Sequence, residues 1–414
     1  MSTGRETDGG VGPLHGVRVV ELASVIMGPY AAQQLGDLGA DVIKVEPPTG
    51  DLTRHYPPTR SPGMGVITLN LNRNKRSVAL DLKAPGGRDA LLALLASADV
   101  FLTNVRPQAL RRLDLAYEDV AAVNSGLVYL NAQGFRSDSP LGGHAAYDDV
   151  VQAASGLVWL NEQVSGVPHY VPTVLADKIC GLVIVQSVLA ALHHRDRTGQ
   201  GQHVEVPMAD TMLAFNLVEH LAAATLNPPE GPIGYPRALS PRRAASRTAD
   251  GWMCILPYSD RNWRDFFAFV GRPELADDPR FASYAARVHN ADELYVLVGE
   301  FTTRHTNAQW QEFCDATSIP AAPVLSLTEA ATSAYATEGG LLREAEHPTE
   351  GGYRLIGQPV RFWATPAGLH RHCPRVGEHT EEVFAEIGHR PPARATNSHQ
   401  QPPTPVPADR IEAP

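Results

Sequence analysis

Short apolar runs rich in β-branched residues recur along the first half of the chain. "VRVVEL" (17–22), "DVIKVE" (41–46), "SVALDL" (77–82), "DVFLT" (99–103) and "GLVYLNAQGF" (126–135) have the length and composition of buried strands. Between them, "GPYAAQQLGDLGA" (28–40), "GRDALLALLASA" (87–98) and "YEDVAAVN" (117–124) space their apolar residues as helices do, and Pro29 suits a first helical turn. "QHVEVPMAD" (202–210) predicts one more strand, leading into a helix through Glu219. Strands that alternate with helices in this way predict an α/β fold with a largely parallel sheet. Ligands of such sheets gather beyond the carboxyl ends of the strands. Those ends are Ala23 to Gly28, Lys83, Asn104 to Pro107, and Gln133 to Arg136. No G-x-G-x-x-G follows the first strand, which disfavours a dinucleotide site of the usual type.

From about residue 225 the pattern changes. "LNPPEGPIGYPRALSPRR" is dense in Pro and Gly and reads as a crossing linker. Short strands ("WMCILP", "APVLSL") then alternate with helices ("NWRDFFAFV", "NAQWQEFCDAT"), enough for a small second α/β domain. "YRLIGQPVRFW" (353–363) predicts a strand that returns to the first domain. The expected organisation is a flexible arm at 1–13, a large domain at 14–224 and again at 331–390, and a small domain with its linkers at 225–330. A Pro-rich disordered tail, with seven prolines in its 24 residues, follows at 391–414.

Length and composition narrow the function. A chain of 414 residues exceeds one ordinary core, and 43% apolar with 19% charged residues describes a globular protein. A net charge of −10 disfavours nucleic acid as a partner, while leaving room for a local basic pocket. Cys180, Cys254, Cys314 and Cys373 lie far apart without metal spacing and read as reduced thiols. The first residues, "MSTGRETDGGVGP", have no apolar run of the kind a secretory leader carries. The expectation is a cytoplasmic protein without a membrane or metal partner.

Three groups of residues carry candidate chemistry. In "YVPTVLADKICGLVIVQSVLAALHHR" (170–195), Asp177 stands at the start of a long apolar helix. It reads as an N-cap, whose oxygen accepts an orphan backbone N–H, or as a nucleophile kept ionised by the helix dipole. Ile179, Leu182, Val183, Val185, Gln186 and Leu189 are expected to form its buried face. The apolar stretch from Ile179 to Leu192 is shorter than a bilayer span. Basic residues (Arg54, Arg73, Lys75, Arg76, Lys83, Arg106, Arg111 and Arg112) stand near several strand ends, where they would either form a polyanion pocket or line solvated loops. Tyr147, Asp148 and Asp149 precede a small-residue helix, as an acid–base pair or as ordinary helix-start acids. The histidines at 193–194 and in "HRHC" (370–373) lack converging metal ligands.

Eight stretches in order resemble the family III CoA-transferases, also called the CaiB/BaiF family. They are "LHGVRVVELASVIMGPYAAQQLGDLGADVIKVEPPTGD", "NRNKRSVALDLK", "TNVRPQALRRL", "YDDVVQAASG", "VLADKICG", "TGQGQHVEVPM", "IPAAPVLSL" and "GEHTEEV". The resemblance implies that Asp177 is the catalytic aspartate. It implies that Ile26, Met27, Leu80, Lys83, Asn104, Val105, Arg106 and Arg112 touch coenzyme A, and Tyr147 is expected to line that pocket. It further implies a large domain of Rossmann-like topology, a small domain, and two interlocked chains. The implied activity is acyl-CoA:carboxylate CoA transfer through an aspartyl mixed anhydride and an aspartyl-CoA thioester, with coenzyme A thioester and free acid as substrates and no permanent cofactor. The glycine-rich flap of some members has no equivalent near 240–260. In the racemase branch a histidine stands where this chain has Tyr147. The alternatives are a 2-methylacyl-CoA racemase and a non-catalytic CoA-ester binder.

Overall fold

A computed structural model of the chain describes residues 12–392. Most of the expected arm at 1–13 and of the tail at 391–414 lies outside the described residues. Six parallel strands, β1 (Arg18–Leu22), β2 (Asp41–Glu46), β3 (Lys75–Ala79), β4 (Val100–Thr103), β5 (Val128–Gln133) and β6 (Gln202–Pro207), form one sheet. Their order is β3-β2-β1-β4-β5-β6. The chain thus winds outward from β1 in one direction and from β4 in the other, as doubly wound sheets do.

Period-two alternation explains why both faces are covered. Val19, Val42, Val100 and Val128 point to one face, against the helices Met27–Asp37 and Leu175–Thr198. Their neighbours Val20, Ile43, Phe101 and Tyr129 point to the other, against Gly87–Leu95, Tyr117–Val123 and Thr380–Glu386. A sheet buried on both sides needs near-continuous apolar strands, which is the pattern seen in the sequence.

A separate core forms around Trp310, whose indole N–H donates to the Thr302 carbonyl at 2.9 Å. Trp263, Phe266, Phe267, Phe281 and Phe301 pack in the same cluster. A three-stranded antiparallel sheet of Ser246–Arg247, Trp252–Ile255 and Ala321–Pro323 flanks it.

Several elements differ from the sequence expectation. The third strand runs over Lys75–Ala79 rather than 77–82, because charged Lys75 and Arg76 are buried as ion pairs instead of ending the strand. "APVLSL" is strand only to Pro323, since Ser326 and Glu329 close a capping box that starts the helix Leu327–Thr332. "YRLIGQPVRFW" is strand only over Gly351–Ile356, paired in a hairpin with Leu342–His347 rather than with the main sheet. The helix holding Asp177 runs 24 residues, from Leu175 to Thr198, and is long and apolar enough by length and composition to cross a membrane. Here it lies on the sheet, burying Ala176, Cys180, Gly181, Ile184, Val188, Ala191 and Leu192. Of the expected buried face, Ile179, Val183 and Val185 are partly buried against the core, while Leu182, Gln186 and Leu189 are exposed.

Candidate functional site

The carboxyl ends of β1, β4 and β5 open into a cleft of about 370 Å³ at the point where the strand order reverses. Three loops line it: Ser24 to Met27 after β1, Asn104 to Arg106 after β4, and Gln133 to Phe135 after β5. Asp177 and Tyr147 complete it, with His144 beside them.

The β1 loop is held in a costly shape. Val25 has φ of 68°, a left-handed conformation that a β-branched side chain resists. Its N–H donates to Asp51 Oδ1 at 3.2 Å, and the Asn104 side chain takes the Ser24 N–H and returns a bond to the Ser24 carbonyl at 2.9 Å. Beneath the loop, buried Lys44 donates to Glu21, Asp51 and the Ala23 carbonyl. The charges that fix this loop therefore lie under the cleft and do not face it.

Asp177 is not an N-cap. Val174 holds that position, and Asp177 sits in the first turn with its own N–H donating to Asp148 Oδ1 at 3.0 Å. Asp148 is buried at the start of the helix Asp148–Ala154, so the capping oxygen comes from a neighbouring helix. Its other oxygen accepts from Gln152, whose carbonyl oxygen takes the Val171 N–H at 2.9 Å. This pair fastens the segment that delivers Asp177. Asp149 is exposed.

The electrostatics also differ from the sequence expectation, which had the helix dipole keeping Asp177 ionised. Burial, with the Asp148 and Asp149 charges added, pushes its carboxyl up to about 7. At neutral pH the group is poised between its two forms.

Ile26, Met27, Asn104, Val105, Arg106, Tyr147 and Asp177 thus meet in one cleft, and Leu80, Lys83 and Arg112 do not line it. The Leu80 side chain is buried in the sheet core. Lys83 stands exposed beyond the end of β3, and Arg112 at the end of the helix Pro107–Arg112. The broader basic cluster divides. Arg54 is spent on Glu46, Arg73 on Asp37, Lys75 on Glu21, and Arg76 on Asp41, Glu382 and Glu386. These four are buried structural charges and do not line the cleft. The sequence marks His144 only by its place three residues before Tyr147.

Known proteins with this chain's pattern are consistent with the geometry. Residues 14–380 match the profile of CoA-transferase family III. The chain is 32% identical to the succinate–glutarate CoA-transferase of Agrobacterium fabrum, over 91% of this chain and 96% of that protein. It is 31% identical to the formyl-CoA:oxalate CoA-transferase of Afipia carboxidovorans, over 90% and 93%. Among solved structures, Rv3272 of Mycobacterium tuberculosis superposes with a TM-score of 0.78 at 30% identity, covering 90% of this chain and 99% of that one. A CaiB/BaiF family protein from Brucella suis gives 0.76 at 29% identity, covering 91% of this chain and all of that one (100%). With a family profile spanning nearly the whole chain and a fold to match, this protein belongs to CoA-transferase family III and is a CoA-transferase.

Proposed function

We propose that the cleft runs acyl-CoA:carboxylate CoA transfer with Asp177 as the nucleophile. The observation that carries this reading is a half-buried carboxylate at the sheet's switch point, in one cleft with Arg106 and the β1 loop. Asp177 Oδ attacks the thioester carbonyl, the C–S bond breaks, and a mixed anhydride and CoA thiolate result. The thiolate then attacks the aspartyl carbonyl, giving an aspartyl-CoA thioester and releasing the donor acid. The acceptor carboxylate reverses both steps, so the thioester bond is conserved without ATP. Holding CoA between steps makes each attack effectively intramolecular.

Arg106 is exposed at the rim of the cleft, suited to the phosphates of CoA through paired hydrogen bonds. Lys83 and Arg112 belong, on this reading, to the outer part of the same nucleotide path, and Leu80 contributes only through its backbone. Two chains are proposed to interlock as a cytoplasmic homodimer. Support comes from Leu182, Leu189, Leu213, Phe215 and Val218, large apolar residues exposed along two neighbouring helices.

Incubation with succinyl-CoA, formyl-CoA or a 2-methylacyl-CoA, without acceptor acid, is expected to leave a CoA adduct on Asp177 that hydroxylamine removes. Turnover with a donor that never yields this adduct would end the mechanism. Because attack requires the ionised carboxylate, kcat/KM should fall as pH drops through about 7. Asp148→Asn keeps an oxygen for the Asp177 N–H but removes a negative charge. It should move that acid limb to lower pH, read from the pH profile of kcat/KM.

The racemase reading gains one observation, since His144 lines the same cleft as Asp177 and the two would supply a pair of proton carriers. It predicts wash-in of deuterium at the α-carbon of a 2-methylacyl-CoA in D₂O without any acceptor acid. The transferase reading predicts none under conditions where CoA transfer proceeds.

A further inference from the structure

A second cavity, of about 430 Å³, lies within the Trp310-centred body and shares no lining residue with the Asp177 cleft. Its interior is apolar. Ile255 of the small sheet, Trp263 of the helix Asp260–Phe269, and Leu294 and Val298 of the helix Ala291–Thr302 form the wall that faces the core. At the mouth, Tyr258 and Tyr284 form a tilted aromatic pair with ring centroids 6.3 Å apart, and both are more than half exposed. Both rings line the cavity, where they offer apolar surface to an aromatic or branched apolar body.

Charge at this mouth is one-sided. Four arginines line the cavity, and two of them are already engaged: buried Arg287 pairs with Asp260 and donates to the Phe281 carbonyl, and Arg237 donates to the Tyr295 hydroxyl. Arg242 and Arg243 differ. Their segment is pinned by its backbone, with the Arg242 N–H on Ser240 Oγ and the Arg243 N–H on the Ser240 carbonyl, and Ser240 Oγ in turn donates to Asp292. Of the nearby acids, Asp260 pairs with Arg287 and Glu293 with Arg280, while Asp292 accepts from Ser240 Oγ. Among the described residues, neither guanidinium has a carboxylate partner. Both side chains are exposed at the opening of an apolar hole.

An apolar cavity of ligand size with two free guanidiniums at its mouth matches one kind of molecule. We propose that this cavity is a second ligand site, binding a free carboxylic acid with an aromatic or branched apolar body, its carboxylate held by Arg242 and Arg243. A carboxylate is favoured over a neutral head group because a planar fork of N–H donors matches its two oxygens. The body is apolar because Ile255, Trp263, Leu294 and Val298 make up the wall that faces the core. This site goes beyond CoA transfer at Asp177 and stands whether or not Asp177 is the nucleophile.

Calorimetric titration of the full-length protein with phenylacetate at neutral pH tests it, with phenylacetamide as the uncharged isostere. Saturable binding of the acid is expected, weaker by about tenfold or more for the amide and for the Arg242→Gln/Arg243→Gln double variant. Both arginines are exposed and make no side-chain ion pair among the described residues, so the double variant should fold, which circular dichroism confirms before titration. Asp177→Asn should bind phenylacetate as the wild type does, which keeps this site distinct from the transfer cleft. No saturable binding, equal binding of acid and amide, or binding that survives the double variant would overturn the proposal. So would loss of binding in Asp177→Asn, which would put the acid in the cleft.

Discussion

Asp177→Asn is expected to lower CoA transfer by at least about 10³-fold while the protein becomes more stable above neutral pH. The amide keeps the shape and the backbone N–H bond to Asp148, but it cannot form an anhydride. The stability change follows from the raised carboxyl, pushed from an ordinary 3.8 to about 7 by burial and the neighbouring acids. A group raised in this way favours the folded state most when protonated in both states, below about 3.8. That contribution is lost as pH rises through about 7, where the folded protein must carry an unfavourable charge. The Asn variant carries none. Its urea midpoint should therefore exceed the wild type's at pH 8, with the advantage vanishing toward pH 4. Inactivation accompanied by unfolding would assign Asp177 to structure instead of chemistry.

Arg54→Ala should cost about 3–5 kcal/mol of stability, read as a drop in the urea midpoint with an unchanged slope. The guanidinium is fully buried and donates to both oxygens of Glu46 at 2.7 Å, and also to the carbonyls of Gly63 and Pro374. Burial alone pushes the Glu46 carboxyl up, and the contacts with Arg54 and Lys44 outweigh it, leaving Glu46 below its ordinary value. Removing Arg54 strands that carboxylate. The pair contributes stability above the unfolded pKa of Glu46 and loses it as pH falls through the lower folded one. The deficit of the variant should therefore shrink in acid, where the stranded Glu46 can take a proton. A pH-independent deficit would show that lost packing, and not the charge, sets the cost.

The sheet was legible because its strands are buried on both faces, so each announces itself as an apolar run bounded by turns. The exception was β3, whose first residues Lys75 and Arg76 are charged. A strand that buries cations against acids on other elements carries no local sign of doing so. The long helix was legible in type and only partly in phase. Apolar residues surround it, and which side faces the sheet depends on contacts with Met27–Asp37 and β5 that no periodicity records. At the cleft, the residues at strand ends could be anticipated from topology alone. Asp148 as the cap of a helix 29 residues away could not, because the local pattern at Asp177 already offers a plausible cap. Arg54, Arg73, Lys75 and Arg76 resembled a ligand site for the same reason. Basic residues near strand ends look alike in sequence whether they face a ligand or a buried carboxylate.

The outer edge of β3 is closed by the far end of the chain. The Asn74 N–H meets the Arg371 carbonyl, the Ser77 N–H and carbonyl meet His379, and the Ala79 N–H meets the Thr380 hydroxyl. Free strand edges template pairing with other chains, so this seal protects the sheet. It also has a timing. The partners of Ser77 are separated from it by 302 positions, and at roughly 5–20 residues per second they emerge roughly 15–60 s after it during translation. For that interval β3 is an open edge on a growing polypeptide. Each copy made on a polysome passes through a state in which its nearest neighbours carry the same unsealed strand.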